Sequence, residues 1–300
     1  MNKTFYSNGK LLLTGEYVVL DGATALAIPT TYGQSLEVAP SEKNGIHWKS
    51  LDEQGSVWFE GQFGINNFEI EKRDDDVSRT LSKILREARK LNHDFLTKVD
   101  GIQVTTKLDF PRNWGLGTSS TLINNIAQWA NVNAFQLLKN SFGGSGYDIA
   151  AAQNNSPLLY ELQNGVPKFE KVKINWSFKD QLFFVHLNQK QDSKEGIARY
   201  RSASVDKKSI QQISAISKKL LLCNSLSEFE QLMDLHEAII SEIIDLPTVK
   251  EQFFSDYSGT IKSLGAWGGD FILVMGNEND MDYFRRKGYG TIIPFKKMIK

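Results

Sequence analysis

The spacing of apolar residues changes several times along the chain, and each change marks a different element. From Phe5 to Pro29 two extended apolar segments, "KLLLTGEYVVL" and "ATALAIPT", are broken by Asp21-Gly22, a pair that favours a tight turn. Strand-like stretches follow at "QSLEVAP", "GIHWKSL" and "VWFEGQF", so the opening predicts antiparallel β structure. In "VSRTLSKILREARKLNH" the period lengthens. Val77, Leu81, Ile84, Leu85, Ala88 and Leu91 share one helical face with bases between them, which predicts an amphipathic helix covering a sheet. The alternating strand "GIQVTTKLDFP" then runs into the glycine-rich "PRNWGLGTSS", and helices are predicted at "STLINNIAQWANV" and "AFQLLKNS". Beyond a second glycine cluster, "PLLYELQ" and "PKFEKVKI" read as a hairpin turning at Asn164-Gly165.

A different region opens at the strand "QLFFVHLN". Two long helical patterns, Lys207 to Leu222 and Ser227 to Ile244, precede "TVKEQFFSDYSGTIKSLG", the strand "DFILVMGN", a helix "ENDMDYFRRKG" and a last strand "GTIIPF". Strands and helices intermixed in this way predict an α+β sandwich. At 300 residues the chain exceeds what one core usually organises, so two domains are expected, residues 1–174 and 175–300.

Composition acts mainly by exclusion. With 41% hydrophobic and 23% charged residues the chain should fold as an ordinary globular protein. Lys plus Arg equals Asp plus Glu at 35 each, which removes any global electrostatic argument for a nucleic-acid or membrane partner. There is no run of eighteen apolar residues and no signal-peptide pattern at the start, so a cytoplasmic protein is expected. Cys223 is the only cysteine, which excludes an internal disulfide and a Cys-based metal site.

Three glycine-rich stretches hold the candidate chemistry. In "PRNWGLGTSSTL" a strand ends at a proline, glycines follow, and hydroxyl residues start a helix. Gly115 and Gly117 permit positive φ and close backbone approach. Thr118, Ser119 and Ser120 sit where helix-terminal N–H groups lack partners, and amides converging with hydroxyls bind phosphate. The Lys-Ser/Thr pair of a P-loop is missing, and taken alone a glycine turn with a Ser N-cap explains the stretch equally well. In "GGSGYDIAAA", Asp148 reads as a helix N-cap or as a carboxylate held at a loop–helix junction; alone, the cap is the simpler reading. In "LGAWGGDFILV", Gly265, Gly268 and Gly269 fit a bulge, a tight turn or close packing on a ligand.

The order of these motifs is more informative than any one of them. Lys10-x4-Gly15-Glu16, then PxxxGLGxSS, then Ser145-Gly146-x-Asp148, then Gly-Ala-x-Gly-Gly form a series that resembles the GHMP kinase superfamily from Lys10 to about Val274. That superfamily is named after galactokinase, homoserine kinase, mevalonate kinase and phosphomevalonate kinase. The resemblance implies an α+β fold with an N-terminal α/β domain containing a left-handed β-α-β unit. The C-terminal half would be a ferredoxin-like α+β sandwich, with ATP and acceptor in the cleft between the two. It also implies an enzyme, an ATP-dependent kinase using Mg²⁺ and a small-molecule acceptor, with a homodimer left open. Residues Gly115, Leu116, Gly117, Thr118, Ser119 and Ser120 would wrap the triphosphate, with Ser119 or Ser120 also reaching Mg²⁺. Asp148 would accept the acceptor hydroxyl's proton or orient that hydroxyl, and Lys10 would pair with Asp148. Glu16, Tyr17, Ser145, Gly146 and Gly268 would lie beside the acceptor.

The sequence departs from the family in three places. Mevalonate kinases carry a metal-holding glutamate ahead of Ser-Gly-x-Asp, and here no acidic residue lies between Asp109 and Asp148. Trp114 and Trp267 stand inside glycine loops, and "SNGK" replaces the usual "APGK". The Gly-Glu-Tyr triplet resembles phosphomevalonate kinase more than mevalonate kinase, so mevalonate or phosphomevalonate is the expected acceptor, with homoserine or a sugar as alternatives. The segment "VHLNQKQDSKEGIARY" resembles the family's substrate loop, and Lys190, Lys194, Arg199 and Arg201 could meet a phosphorylated acceptor, although a charge run more often faces solvent. A catalytically silent relative that binds a nucleotide or a protein is the rival reading. The diphosphomevalonate decarboxylase branch, whose first motif differs, ranks lower.

Overall fold

A computed structural model describes residues 2–189, 193–203, 205–265, 267 and 269–300. The chain forms two compact units, neither of them one continuous stretch. Unit 1 comprises Met1–Gly9, Tyr32–Arg112 and Leu116–Gln153; unit 2 comprises Lys10–Thr31, Asn113–Gly115 and Asn154–Lys300.

Unit 1 takes the start of β1 (Lys3–Thr14) and the end of β2 (Ala25–Pro40). To these it adds β3 (Gly45–Leu51), β4 (Val57–Phe63), β5 (Ile70–Lys72), α1 (Asp76–Leu91) and β6 (Gly101–Leu108). Three helices complete it: α2 (Thr118–Ala130), α3 (Ala134–Ser141) and α4 (Tyr147–Ala152). Its strands run β5–β4–β3–β6–β2, antiparallel except for the parallel β3–β6 pair. Strand β6 shows the period of two that a half-buried strand requires: Ile102, Val104, Thr106 and Leu108 are buried while Gln103 and Lys107 are exposed. Helix α1 is capped by Asp75, whose carboxylate accepts from the Ser78 N–H at 2.8 Å, and carries Arg89 and Lys90 in its last turn, where cations favour the dipole. It buries Leu81, Ile84, Leu85 and Ala88 in one cluster with Ile102, Val104, Ile123 and Ile126, as the spacing predicts. Leu91, the last residue of α1, stays 38% exposed.

In unit 2 the start of β2 pairs with β7 (Leu158–Gln163), which forms a hairpin with β8 (Val166–Lys171). Asn164 (φ 51°) and Gly165 (φ 76°) supply the two positive-φ positions of a two-residue turn. Then come β9 (Leu182–His186), α5 (Ser193–Ser202), α6 (Lys207–Leu220), α7 (Leu226–Ile244) and α8 (Val249–Phe253). The chain ends with β10 (Ile261–Ser263), β11 (Phe271–Met275), α9 (Met281–Arg286), β12 (Ile292–Pro294) and α10 (Phe295–Met298). The antiparallel order is β10–β11–β9–β12. Strand β9 is buried on both faces: Phe183 and Val185 join Phe254, Ile272 and Phe284 in one core, while Phe184 stacks on Phe295 at 5.8 Å. A strand covered twice reads as the continuous apolar run seen here rather than as an alternation.

Two elements differ from the sequence reading. The first apolar segment stops as a strand at Thr14, because Gly15 (φ 91°) and Tyr17 (φ 63°) take left-handed conformations and Val18–Asp21 closes into a 3-10 turn. A Cβ at Gly15 would come within 2.6 Å of the Ala25 Cβ, so only glycine fits that turn. Helix α5 lies where the sequence offered only a charged loop. Among the described residues no helix is long and apolar enough to cross a membrane.

Candidate functional site

Two helix starts in unit 1 present the predicted polar groups. The N-cap of α2 is Gly117 (φ 92°), which has no side chain to cap the first-turn amides. Thr118, Ser119 and Ser120 form that first turn, which has no acidic residue. Ser119 is exposed, whereas the Ser120 hydroxyl is buried and donates to the Gly117 carbonyl at 2.9 Å. Leu116 is fully buried and anchors the loop. Helix α4 starts likewise at Gly146 (φ 86°), so the cap is Gly146 and not Asp148. Asp148 lies one residue into the helix, half-buried, with its Oδ1 accepting from the Ile149 N–H at 3.0 Å. Ser145, just before, is buried.

A buried hydrogen-bond network fixes α2 against its neighbours. Asn124 and Asn125 are buried in α2 between the apolar Ile123 and Ile126. Asn125 accepts from the Ser7 hydroxyl at 2.7 Å and donates to the Gln34 carbonyl at 2.9 Å. Asn124 donates to Ser7 Oγ at 2.8 Å and accepts from Gln153 Nε2 at 2.9 Å, tying α2 to the end of α4. The Thr121 hydroxyl reaches Gln34 Oε1 at 2.7 Å. Polar groups buried with partners on both sides specify one arrangement.

Unit 2 holds the preceding part of the glycine loop. Lys10 Nζ donates to the Gly115 carbonyl at 2.8 Å. Trp114, half-buried, meets the Phe271 ring edge-on at 5.4 Å, and His186 Nε2 lies 3.2 Å from the Asn113 carbonyl. Asn188 N–H donates to His186 Nδ1 at 3.3 Å, so Nε2 carries the proton and donates to Asn113. Gly115 (φ 65°) packs against the Asp270 carboxylate, which a Cβ there would overlap.

Tyr17 lines a cavity of about 640 Å³ in unit 2, together with Gln189, Arg199, Ser202, Phe253 and Trp267. Its ring stacks on Tyr200 at 5.9 Å, and its hydroxyl fills the space a side chain at Gly196 would need. Burial raises the Tyr17 phenol pKa, the Glu16 charge adds to the rise, and Arg199 opposes it. Of the four bases read as a phosphate-facing loop, Arg199 lines this cavity and Arg201 pairs with Asp21 at 3.2 Å. Lys190, Gly268 and the Lys194 side chain lie outside the described residues.

Glu16 faces the other way. It is 1% exposed, and its Oε1 lies 2.6 Å from the Nζ of Lys262, which is fully buried and also 3.0 Å from Glu237 Oε1. Glu16 thus belongs to an interior ion pair. Glu237 also accepts from the Ser263 N–H at 3.0 Å and the Ser263 hydroxyl at 2.6 Å. His236 Nε2 accepts from the Gly15 N–H at 3.0 Å and stands 3.4 Å from Glu16 Oε2. Burial pushes Glu16 up to about 7 despite Lys262, and raises Glu237 too. Burial works against the Lys262 ammonium, but the two carboxylates outweigh it and its pKa is raised. Burial, with Lys262 nearby, holds His236 well below its ordinary value and therefore neutral. Lys262 Nζ also sits 5.5 Å from the centre of the Trp267 ring, so it underlies one cavity wall while Glu16 adjoins the other at Tyr17.

Sequence reasoning missed Lys262, Glu237, His236 and Asp270. A signal existed for two of them: His236 and Glu237 fall on the face of α7 that buries Phe229, Met233, Ile240 and Ile244. Polar residues in an apolar stripe need partners.

No family model matches the chain, and no curated protein matches it in sequence. Solved structures do match in fold. The Methanococcus jannaschii mevalonate kinase shares 15% identity over 98% of this chain and 97% of its own, with a TM-score of 0.69. The Lactococcus lactis galactokinase complexed with galactose shares 16% over 95% and 88%, with a TM-score of 0.67. The Streptococcus pneumoniae phosphomevalonate kinase in complex with phosphomevalonate and AMPPNP shares 15% over 95% and 95%, with a TM-score of 0.66. The chain has the mixed α+β, two-domain fold of GHMP kinase structures.

Proposed function

We propose that the chain is an ATP-dependent small-molecule kinase that moves the γ-phosphoryl group to a hydroxyl or phosphate of a metabolite, with mevalonate or phosphomevalonate as the acceptor. The start of α2 carries this reading. Its glycine cap provides no side-chain capping bond, three hydroxyl residues form the first turn, and a buried network holds the helix in place. A triphosphate fits such a turn, because amides and the positive end of the helix dipole favour anions. The fold supports the reading independently, since solved neighbours include kinases bound to galactose or to phosphomevalonate and AMPPNP.

The residues have separate tasks. Gly115 to Ser120 wrap the triphosphate, and Lys10 neutralises charge at the loop while bracing Gly115. Asp148 takes the acceptor hydroxyl's proton or orients that hydroxyl, held by its helix start. Tyr17 and Arg199 shape the cavity for an anionic acceptor. Among the described residues no three His, Cys, Asp or Glu side chains cluster to hold a metal. That donor set suits Mg²⁺ arriving with the nucleotide, kept by phosphate oxygens, water and a hydroxyl of Ser119 or Ser120. Bound there, Mg²⁺ would neutralise the charge on the β- and γ-phosphate oxygens.

Mg²⁺-dependent ADP release from ATP, measured with mevalonate, phosphomevalonate, diphosphomevalonate, homoserine and galactose, tests the reading. One acceptor should support turnover. Asp148→Asn should lower kcat by about 10²- to 10⁴-fold, the range for a positioned acid–base group, and leave the ATP dissociation constant nearly unchanged. Absence of ATP binding would refute the proposal. ATP binding without turnover on any acceptor would favour the silent relative.

A further inference from the structure

Unit 2 has a second cavity, of about 370 Å³, which shares no residue with the one around Tyr17. That volume suits a small metabolite. Four lysines line it, Lys173, Lys179, Lys296 and Lys300, and no acidic side chain does. The whole chain balances 35 basic against 35 acidic residues, so a lining of one sign is a local departure. Ser156 and Asn175 add uncharged donors to the same lining. The walls are tied together. The Val172 N–H, just past β8, donates to the Pro157 carbonyl ahead of β7 at 2.9 Å. Lys179 Nζ donates to the Ile174 carbonyl at 2.6 Å, which folds the segment between β8 and β9 back on itself. Phe295 of α10 is buried, with its ring 5.7 Å from Trp176 and 5.8 Å from Phe184. Beyond it, the Lys300 N–H donates to the Pro29 carbonyl at 3.2 Å.

The charges of these lysines are unevenly offset. Lys296 pairs with Asp180 at 2.7 Å, but both side chains are exposed and water screens the pair. Lys173 and Lys179 have no carboxylate partner among the described residues. Like charges around one cavity repel, and an anion between them turns that repulsion into attraction. Lysine binds phosphate as a point charge with three rotatable donors. Two unpaired ammonium groups and a third that is only loosely paired suit a ligand with more than one phosphoryl group. We propose that the cavity at the open end of the β7–β8 hairpin is a binding site for a small ligand carrying a diphosphate group, held by Lys173 and Lys179. The assignment stands independently of the kinase reading.

Inorganic pyrophosphate is the probe, titrated into the full chain in excess EDTA so that no metal bridges it. Binding is read residue by residue, as the rate at which each lysine is acetylated, mapped by peptide mass spectrometry. Pyrophosphate should protect Lys173, Lys179 and Lys296, while the exposed Lys98 and Lys208 keep their rates. The concentration dependence of protection at Lys179 and Lys296 gives the dissociation constant of this cavity alone. Lys173→Gln should raise that constant about tenfold, the loss of one charge-assisted bond, and Lys173→Arg should leave it within about threefold. Sulfate should bind at least about tenfold more weakly than pyrophosphate, because it has no second group for the second lysine. Equal slowing at every lysine would be a general ionic effect and overturns the site, as does no protection at Lys173. A constant unchanged in Lys173→Gln overturns it too. Sulfate bound as tightly as pyrophosphate overturns the diphosphate class. Every one of these results leaves the kinase reading standing. The Lys173 side chain has no bonding partner among the described residues, so its replacement should not disturb folding. Far-UV circular dichroism checks this, and Lys179→Gln, read at Lys173, supplies a second test.

Discussion

Replacing Lys262 by methionine should destabilise the protein by an amount that depends on pH. Methionine approximates the lysine stem without its charge, so two buried carboxyls remain with no cation between them. Lys262 is 0% exposed, Glu16 1% and Glu237 4%, so water cannot replace the lost ammonium. The cheapest response is protonation, which costs about 1.4 kcal/mol for each pH unit above the ordinary glutamate pKa. At pH 7 that is about 3 kcal/mol for Glu237. Glu16, already pushed up to about 7, is near half protonation there and adds less. The total of about 3–5 kcal/mol matches the usual cost of removing one partner from a buried ion pair. At pH 5 protonation is nearly free, and the loss should shrink to about 1–2 kcal/mol. The sign follows from the direction of the shifts. In the variant both carboxyls have folded pKa values above their unfolded ones, so the folded state binds more protons and stability rises as pH falls from 7 towards 4.5. Urea unfolding of wild type and variant at pH 5 and pH 7, followed by circular dichroism, measures both differences. Equal losses at the two pH values, or a loss below about 1 kcal/mol at pH 7, would refute the reasoning, because buried carboxyls without a cation must behave otherwise.

In the wild type, the raised pKa of Glu16 makes the folded state bind an extra proton between the ordinary value of 4.5 and about 7, so this group's contribution to stability falls across that window. Glu16→Gln should remove up to about 3 kcal/mol of that dependence. The opposing contribution of His236, whose depressed pKa makes stability fall below pH 6.5, then remains, and parallel wild-type and variant curves would count against the assignment. Gly117→Ala places a side chain on a residue at φ 92°; it should cost roughly 1–2 kcal/mol and weaken ATP binding, with secondary structure unchanged by circular dichroism. Asn125→Leu removes the acceptor of the Ser7 hydroxyl proton and the side-chain donor to the Gln34 carbonyl inside unit 1, and chemical denaturation should show a loss of about 1–3 kcal/mol.

Most elements were legible because local chemistry and burial agree. The α1 stripe, the β7–β8 turn at Asn164-Gly165 and the doubly covered β9 all follow from periodicity and turn residues. That helices begin near these two glycine clusters was legible, but their caps were not: the sequence reads a Ser and Asp148 as caps, whereas Gly117 and Gly146 hold those places. The ion pair of Glu16 was not legible, for a physical reason. A glutamate after glycine in an apolar strand needs a cation or a ligand, and the sequence does not say that its cation comes from a residue 246 positions away. Asp270 was passed over because its neighbours Gly115 and Gly265 become meaningful only once folding brings them to the same carboxylate.

The two anchors of the central loop obey different physics. Where Asn124 and Asn125 hold the start of α2, the groups are uncharged at every pH near neutrality, so the geometry of that turn should be indifferent to acid. Unit 2 supports the other residues through charge: Lys10 on Gly115, Asp270 beside it, and the Glu16–Lys262–Glu237 group beneath Tyr17 and Trp267. The Glu16 carboxyl is pushed up to about 7 and is next in sequence to the cavity residue Tyr17. Acceptor affinity should therefore respond to pH near neutrality more than nucleotide affinity does. The acceptor KM, once the acceptor is known, should change between pH 6 and pH 8 in the wild type and flatten in Glu16→Gln, while the ATP dissociation constants of the two proteins keep the same pH dependence. A KM profile unaltered by Glu16→Gln would mean that the ionic group supports the fold of unit 2 without reaching the cavity wall.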